Sequence, residues 1–531
     1  MNFLRSQSST PVLSRRQFLN RSSCAAMGLT SVVNTLAQLR LMQGVLNAQG
    51  GGSGYKALVC VFLSGGNDSN NTLIPLTGTA RTYYEGGGTS NTPGRGTLAI
   101  LAGNLNALTT VPAEIAAADP LGGYLGTFGV HPQLGDVRDM FNAGELAFVA
   151  NVGTLTQPGI TRSNYSTSSR PPQLFSHSDQ VSQWQSSVPD RPFSSGWGGR
   201  IADYLDPIHN TTEGNASMSI SISGVNNFMV SATGTVSPYI MSSNGVVSLS
   251  GYGTNYSSAV NDPSVLFTDS NYKNNETGKR LQAFERITQF TDSSLMENAY
   301  NNVVMSARLT EGMVGSALEV TSAGGTASTL DVHFNNAFSG AEAGIAINNS
   351  FTNQMKLVAR LIAGRSALNN NRQIFFVTLG GFDTHTTQIP STGNLFSTGH
   401  TGLMNYLNRT LKGFRDALVS EGIWDSVVAF TASDFTRTFT ANKTDSTAGS
   451  DHAWGGHHMV LGGPVHGGRI YGKFPPLLTG TTTGSIDATG SSGRWIPSTS
   501  VDQYSAVLGS WLGVPTDALA DIFPNLPRFS A

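Results

Sequence analysis

The segment YKALVCVFLSGGNDSNNTLIPL, residues 55–76, begins with a continuous apolar run that ends at a Gly-Gly-Asn-Asp turn. An unbroken apolar run followed by a turn is typical of a strand that is buried on both faces of a parallel sheet. The same design recurs in ELAFVANVG, RQIFFVTLGGFDTH, SVVAFTASDFTRT and HHMVLGGPV, which begin at residues 145, 372, 426 and 457. We therefore predict five buried strands, three of which are followed by an acidic residue.

Amphipathic helices are predicted between these strands. In GLMNYLNRTLKGFRDALVSEG, residues 402–422, apolar side chains recur at spacings of three and four, and Gly422 provides a stop signal. The segment NQMKLVARLIAGR, residues 353–365, has the same character. Helices that alternate with buried strands predict an α/β fold with a doubly wound, mostly parallel sheet and helices on both faces. Ligands in such sheets bind at the carboxyl ends of the strands.

A Ser/Asn-rich region around residues 205–280 differs from the rest of the chain. Its short alternating stretches, SMSISISG and GVVSLSG, predict β-hairpins of an insertion. Two interpretations are open, a cap on the same α/β domain or an independent carbohydrate-binding module. The cap is favoured because the region shows no repeat or boundary of its own.

The composition excludes several classes of protein. Charged residues make up 12 % of the 531-residue chain and the formal net charge is -2, so no basic surface for nucleic acid is expected. The two cysteines, Cys24 and Cys60, are too few for a disulfide framework, and Cys60 lies in an apolar strand where packing is its expected role. The low charge with 61 glycines favours an exported protein.

The amino terminus contains a candidate targeting sequence. SRRQFLN, residues 14–20, joins a twin arginine to Phe-Leu and precedes a modestly apolar stretch. This pattern predicts a twin-arginine export signal over residues 1–48, a mature α/β domain over residues 49–531, and a periplasmic or extracellular location. A basic helix start is the alternative. No later apolar run reaches 18 residues, so no membrane span is predicted.

Acids and histidines cluster at the predicted strand ends. An acid with a histidine two residues later, as in DTH, directs both side chains to one side of an extended backbone, which suits zinc or a similar divalent ion. Each acid could instead cap a helix or stabilise a turn. In DHAWGGHHMVLGG, residues 451–463, we predict that His452 is a ligand and that only one of His457 and His458 faces the site. The predicted metal ligands are Asp68, Asp383, His385, Asp434 and His452.

Several longer motifs carry a resemblance. LSGGNDSNNTLIP, LGGFDTH, SDFTRT, SDHAWGGHHMVLGGPVHGGRIYG, and FSHSDQVSQW with GWGGR resemble the family called domain of unknown function 1501. That family is similar in turn to the alkaline phosphatase and sulfatase superfamily. The resemblance implies a doubly wound α/β sheet, a two-metal centre, and phosphoryl or sulfuryl transfer through a hydroxyl nucleophile held between two ions.

The resemblance also assigns roles to residues. It implies that Ser176 is the nucleophile. Arg437 is expected to stabilise charge in the transition state, although a structural pairing with Asp434 or a nearby acid explains Arg437 at least as well. Phe435 stands where many members of the superfamily have a histidine ligand. The second metal would then lack a ligand unless His177, His457 or His458 replaces it.

The sequence thus predicts an exported hydrolase that depends on a divalent metal, zinc before manganese, calcium or magnesium, and acts on a small-molecule or polysaccharide ester of phosphate or sulfate. A serine hydrolase using Ser176, Asp434 and either His385 or His452 is one alternative, but no G-x-S-x-G elbow surrounds the serine. A non-catalytic binding or scaffold protein on a degenerate fold is the other. The oligomeric state is left open.

Overall fold

A computed structural model describes residues 54–87, 93–109, 127–211, 215–246, 249–253, 256–262, 265–290, 294–320, 329–342, 344–389 and 397–529. The predicted export signal, residues 1–48, lies outside these ranges.

The described strands form one large sheet and one small one. The large sheet has the order β11-β5-β10-β9-β1-β8-β6-β7, with β12 beside β5, and the small sheet has the order β2-β4-β3. The strands are β1 (Lys56–Leu63), β2 (Leu73–Pro75), β3 (Asn106–Ala107), β4 (Phe128–Val130), β5 (Leu146–Gly153), β6 (Ser219–Ser221), β7 (Tyr239–Ile240), β8 (Arg372–Leu379), β9 (Val427–Ser433), β10 (Gly456–Leu461), β11 (Ile470–Gly472) and β12 (Thr499–Ser500).

The described helices surround the large sheet and its loops. They are α1 (Gly78–Glu85), α2 (Gly135–Asn142), α3 (His177–Ser186), α4 (Trp197–His209), α5 (Glu276–Thr288), α6 (Leu295–Val320), α7 (Asp331–Phe338), α8 (Ser350–Ala363), α9 (Arg365–Leu368), α10 (Gly399–Ser420), α11 (Val501–Leu512) and α12 (Leu519–Ile522).

The quoted opening segment forms the centre of the large sheet. Strand β1 pairs in parallel with β8 on one side and with β9 on the other, so that Cys60 lies between Phe376 and Phe430. All eight residues of β1 are buried, as the continuous apolar run predicts. The prediction of a mostly parallel central sheet is confirmed.

Each face of the sheet carries its own core. Successive side chains of a strand point to opposite faces, and the odd-numbered apolar residues of β1 contact a core that includes α8 and α10. The even-numbered residues contact a second core that includes α4 and α11. Helices therefore cover both faces, and burial on both sides explains why β1 contains no polar residue after Lys56.

The two helices predicted from periodicity are present. In α10, residues Leu407, Leu411, Phe414 and Leu418 are fully buried, and Gly422 has the positive φ of 63° expected of a helix stop. Helix α8 begins at Asn349, whose side chain accepts a hydrogen bond from the Thr352 backbone N–H.

Strand β10 runs against the parallel strands. It pairs antiparallel with both β5 and β9. The prediction that HHMVLGGPV forms a buried strand is confirmed, but an apolar run carries no information about strand direction. The reversal places the residues that precede β10 at the same edge as the residues that follow β1, β8 and β9.

The Ser-rich stretch is a corrected prediction. Ser219–Ser221 forms β6 and pairs in parallel with β8 in the central sheet, where we expected a hairpin of an insertion. Ser219 and Ser221 are buried, as is Ile220 between them. Their alternation of polar and apolar residues resembles that of a half-exposed strand, although both faces of β6 are buried. Strand β7 pairs in parallel with β6, and the limits of the predicted insertion stay a prediction.

None of the helices in the described part of the chain is both long enough and apolar enough to cross a membrane.

Candidate metal centre

Loops from three central strands meet at one edge of the large sheet. Asp434 follows β9 directly, and Asp383 comes four residues after the end of β8. His452 precedes the antiparallel β10 and therefore reaches the same edge. The predicted convergence of Asp68, Asp383 and Asp434 at the carboxyl edge follows from the parallel pairing of β1 with β8 and β9.

Two glycines after β1 allow these loops to pack closely. Gly65 has φ 110°, and a Cβ atom there would lie 2.5 Å from the Asp383 backbone nitrogen. Gly66 has φ 82°, and a Cβ atom there would lie 2.5 Å from the ring of Phe435. Both the positive φ and the close contacts require glycine, so the Gly-Gly turn holds the β8 and β9 loops together.

Three side chains form a group with the geometry of metal ligands. The Nε2 atoms of His177 and His452 each lie 3.4 Å from Oδ1 of Asp383. One ligand atom from each residue lies within 4.8 Å of the others. Ligands around a tetrahedral zinc lie about 3.3 Å apart, given Zn–N bonds of about 2.0–2.1 Å. The two distances to Asp383 Oδ1 are therefore close to the spacing of zinc ligands.

His385 lies beside this group. Its Nε2 atom is 3.1 Å from Oδ1 of Asp383 and 2.8 Å from Nε2 of His452. The prediction that His452 lies within about 7 Å of Asp383 and His385 is thus met. The structure brings together three of the five predicted ligands, Asp383, His385 and His452, and adds His177, which the sequence offered only as a replacement ligand.

An acceptor holds the opposite nitrogen of each ring. His177 Nδ1 lies 2.7 Å from Asp434 Oδ2, and His452 Nδ1 lies 2.7 Å from the Phe175 carbonyl oxygen. His385 Nδ1 lies 3.1 Å from Asp451 Oδ1. An acceptor at Nδ1 fixes the ring and leaves Nε2 available to a metal, as in carboxylate–histidine–zinc sites. Asp434 thus lies behind a histidine, where the sequence predicted a direct ligand.

The close contact between the Nε2 atoms of His385 and His452 bears on whether a cation can bind at this edge of the sheet. Because a carbonyl and a carboxylate can only accept, each ring donates a proton from Nδ1. The two Nε2 atoms lie 2.8 Å apart and both also face Asp383 Oδ1, so a proton on one Nε2 or a bound cation accounts for this contact. The Nε2 atom of His177 is also buried without a hydrogen-bond partner. The side chains at this edge therefore fit a divalent metal ion.

Arg437 contributes the positive charge nearest to Asp383. Its Nη1 atom lies 2.8 Å from Asp383 Oδ1, and its Nη2 atom donates to the Ser450 carbonyl. Partial burial raises the pKa of Asp383, but the hydrogen bond and charge of Arg437 outweigh it and hold the pKa below its usual value. The carboxylate is thus kept ionised, in the form that binds metals, while the arginine competes for the same oxygen.

The environments of His177 and His452 shift their pKa values in opposite directions. The hydrogen bond that His177 donates to Asp434 raises the pKa of His177, whereas burial lowers the pKa of His452. Phe435, which stands where a ligand was expected, packs its ring 4.7 Å from each of these two imidazoles, measured between centroids. The two imidazole centroids lie 4.3 Å from each other, so Phe435 packs beside both rings and contributes no ligand.

Ser176 caps the helix that carries His177. It is the residue that precedes α3, and its hydroxyl donates to Asp179 Oδ2 over 2.5 Å. The predicted nucleophile is thus the immediate neighbour of a residue in the group, and its hydroxyl has an adjacent carboxylate acceptor.

Asp68 does not join the group. Its Oδ2 atom accepts hydrogen bonds from Arg95 and from Gln388, and the aspartate and arginine side chains are fully buried together. A buried carboxylate needs a charged partner, and Arg95 supplies it here. No motif around Arg95 indicated this pairing.

His457 and His458 lie on opposite faces of β10, as predicted. His457 accepts a hydrogen bond from the Asn151 backbone N–H and stacks on Phe474, while His458 packs against Trp184. Burial lowers the pKa of each to about 3. Neither belongs to the group, so the expectation that one of them faces it is not met.

Comparison with known proteins gives the family. A family model described as "Protein of unknown function (DUF1501)" matches residues 55–486. The chain belongs to this family. All residues of the group, together with His385, Asp434 and Arg437, lie within the matched part of the DUF1501 chain. A search of the curated proteins finds no significant match.

Two solved structures show a weak likeness to the DUF1501 chain. Ps i-CgsB in complex with k-i-k-neocarrahexaose has 10 % identity and a TM-score of 0.30, covering 90 % of this chain and 77 % of that one. Ps i-CgsB has 9 % identity and a TM-score of 0.29, covering 89 % of this chain and 77 % of that one. Likenesses this weak do not establish a shared fold.

Proposed function

We propose that the protein is an exported hydrolase of phosphate or sulfate esters, with a hydroxyl nucleophile at a divalent metal centre. The observation that carries this proposal is the convergence of His177, Asp383 and His452, with His385 beside them. A donor set rich in imidazole suits zinc better than magnesium or calcium, which prefer oxygen ligands. Bound zinc would act as a Lewis acid towards an ester oxygen.

The substrate class rests on the resemblance to the alkaline phosphatase and sulfatase superfamily. A central parallel sheet with helices on both faces is compatible with that resemblance. Small-molecule esters and polysaccharide esters are the proposed substrates, and phosphate and sulfate present similar tetrahedral oxyanions to the site. The export motif SRRQFLN supports a periplasmic or extracellular location for this activity.

Ser176 and Asp179 would supply the nucleophile. The Asp179 carboxylate already accepts the Ser176 hydroxyl hydrogen over 2.5 Å and can take that proton as the serine oxygen attacks phosphorus or sulfur. The P–O or S–O ester bond breaks, the leaving oxygen takes a proton from solvent and departs as the alcohol, and water then hydrolyses the serine ester. Arg437 would act through its charge, because its side chain is fully buried beside Asp383. His385, partly exposed and oriented by Asp451, lies beside the same carboxylate.

The test begins with the metal content of protein prepared without chelator, measured by elemental analysis. Hydrolysis of aryl phosphates and aryl sulfates is then followed with added zinc, manganese, calcium or magnesium. We expect about one zinc per chain or more, and turnover that Ser176→Ala abolishes. Loss of zinc binding in His177→Ala and His452→Ala would locate the metal at this group. A chain that holds no metal under any loading condition contradicts the proposal.

A non-catalytic binding protein is the second candidate, and one observation favours it. Arg437 already neutralises Asp383, the single carboxylate of the group, and Phe435 occupies the place of a further ligand. A site reduced in this way could retain a structural ion without catalysing a reaction. Metal that is present without turnover, and activity that is equally absent in wild type and Ser176→Ala, would favour this candidate.

A further inference from the structure

Phe175 adopts a backbone conformation that phenylalanine rarely takes. Its φ is 74°, in the left-handed region, although it precedes the helix cap Ser176. Left-handed geometry is unfavourable for a residue with a bulky side chain. Strain of this kind persists where surrounding contacts enforce it, and it concentrates at functional sites. The hydrogen bonds of Phe175 therefore indicate which interaction this backbone conformation makes possible.

Both backbone groups of Phe175 are used. Its N–H donates to Gln180 Oε1 over 2.7 Å, within the same helical region. Its carbonyl accepts from His452 Nδ1 over 2.7 Å, across 277 residues of sequence. The left-handed turn directs the carbonyl at this histidine. Because a carbonyl cannot donate, the His452 proton is fixed on Nδ1 and the lone pair on Nε2, which faces Asp383.

Arg494 holds both Phe175 and His452. Its guanidinium carbon lies 4.9 Å from the centroid of the Phe175 ring, as in a cation–π contact. Its Nε atom donates to the backbone carbonyl of His452 over 2.8 Å, and its Nη1 atom donates to Thr489 Oγ1. One guanidinium thus fixes the backbone of the histidine and packs on the residue that orients its ring.

We infer that Phe175 and Arg494 are positioning residues for the metal centre, which hold His452 in the tautomer and orientation that present Nε2 as a ligand. This inference rests on the proposed metal site and adds two residues to which the sequence assigned no role. Neither residue contacts the ion. Removal of a residue that orients a metal ligand typically changes metal affinity by about 10–100-fold.

The first experiment measures zinc affinity by competition with a chromogenic chelator. We expect Arg494→Ala to weaken zinc binding about 10–100-fold and Arg494→Lys, which keeps one donor for the His452 carbonyl, to restore part of the affinity. Arg170→Ala is the matched control, because Arg170 lies 4.2 Å over the Tyr165 ring and has no bond to His452. Far-UV circular dichroism verifies folding, and Arg494→Lys decides the matter if Arg494→Ala does not fold.

The second experiment separates the backbone of Phe175 from its ring. Phe175→Gly and Phe175→Ala both remove the ring, but only glycine accepts the left-handed φ without strain. We expect the alanine variant to bind zinc about 3-fold to 10-fold more weakly than the glycine variant. Zinc X-ray absorption should show one imidazole ligand fewer in the weaker variant.

The outcomes distinguish this inference from the proposed function. A wild-type chain that binds no zinc overturns the metal site and this inference together. A wild-type chain that binds zinc, with equal affinity and equal imidazole count in Arg494→Ala and in both Phe175 variants, overturns the inference alone. An equal loss of zinc affinity in Arg170→Ala and Arg494→Ala also overturns the inference, because the loss would then not depend on contacts with His452.

Discussion

Asp434 accepts hydrogen bonds from two different segments at the edge of the sheet. Its Oδ1 atom accepts from the Gly65 N–H at 3.1 Å, and its Oδ2 atom accepts from His177 Nδ1 at 2.7 Å. The side chain is almost wholly buried, so neither contact is replaced easily by water. Asp434 therefore connects the turn after β1 to one imidazole of the metal group.

We predict that Asp434→Asn weakens zinc binding by about 10–100-fold, because an amide offers only one oxygen for two donors and lacks the charge that orients His177. The measurement is chelator competition, with Asp139→Asn, an exposed acid paired with Arg138, as the control. A much larger loss would indicate direct ligation by Asp434, as the sequence analysis predicts. An unchanged affinity would contradict both roles.

Asp502 provides a second prediction at this scale. It is the second residue of α11 and is fully buried, and burial raises its pKa to about 7. The folded chain therefore keeps a proton that the unfolded chain releases near pH 4. Stability from this group is complete below about pH 4, falls as the pH rises to about 7, and is constant above that.

Replacing Asp502 by asparagine should remove this dependence. Between pH 5 and pH 8 the free energy of unfolding of the wild type should fall by roughly 2–3 kcal/mol more than that of Asp502→Asn. Urea unfolding at the two pH values measures the difference, and Asp517→Asn, an exposed acid, serves as the control. Parallel pH profiles for wild type and Asp502→Asn would refute the assignment.

The residues of the site were only partly predictable. The sequence indicates that Asp383 and His452 lie at one sheet edge, because each follows or precedes a strand that its apolar run identifies. Asp68 meets the same criterion, but the sequence does not reveal which buried carboxylate an arginine will neutralise, and Arg95 lies 27 residues away. His177 begins a helix, so strand-end reasoning could not select it.

At the scale of elements, α10 shows how far periodicity determines packing. Leu411 is fully buried in the core on one face of the sheet, whereas Val419 near the end of the helix is 42 % exposed. We predict that Leu411→Ala lowers the free energy of unfolding by about 2–5 kcal/mol, because it leaves a cavity. Val419→Ala should change it by less than about 0.5 kcal/mol.

Urea unfolding followed by circular dichroism measures both variants. Equal losses would mean that α10 does not pack through its apolar stripe. Zinc affinity offers a second comparison, since α10 supplies none of the three grouped residues, and the folded Leu411→Ala protein should retain it.

Strand direction and strand pairing were the elements that the sequence left undetermined. An apolar run identifies β10 as buried, but its antiparallel direction depends on how the preceding loop crosses the sheet edge. In β6, Ser219 and Ser221 are small enough to be buried, so a pattern typical of an exposed face occurs in the central sheet. The direction of β10 and the pairing of β6 share one cause, because side-chain periodicity indicates which residues are buried but does not indicate which strands pair.

At the scale of the whole molecule, the metal group joins segments that are distant in sequence. His177 begins α3, Asp383 follows β8, and His452 precedes β10, so a metal ion bound to all three would close loops of about 200 and 70 residues. An unfolded chain cannot hold these three side chains together. An ion that binds only the folded chain stabilises it by mass action.

We therefore predict that zinc at 100 times its dissociation constant raises the free energy of unfolding by about 2.7 kcal/mol. Chelator should reverse the gain, and the double variant His177→Ala/His452→Ala should show none of it. His466→Gln, which changes a histidine outside the group, is the matched control and should keep the full effect. Denaturant unfolding with and without zinc gives the measurement. Equal stabilisation of the double variant by zinc would show that zinc binds elsewhere. In that variant Asp383 is the one residue of the group that remains, and it is already paired with Arg437.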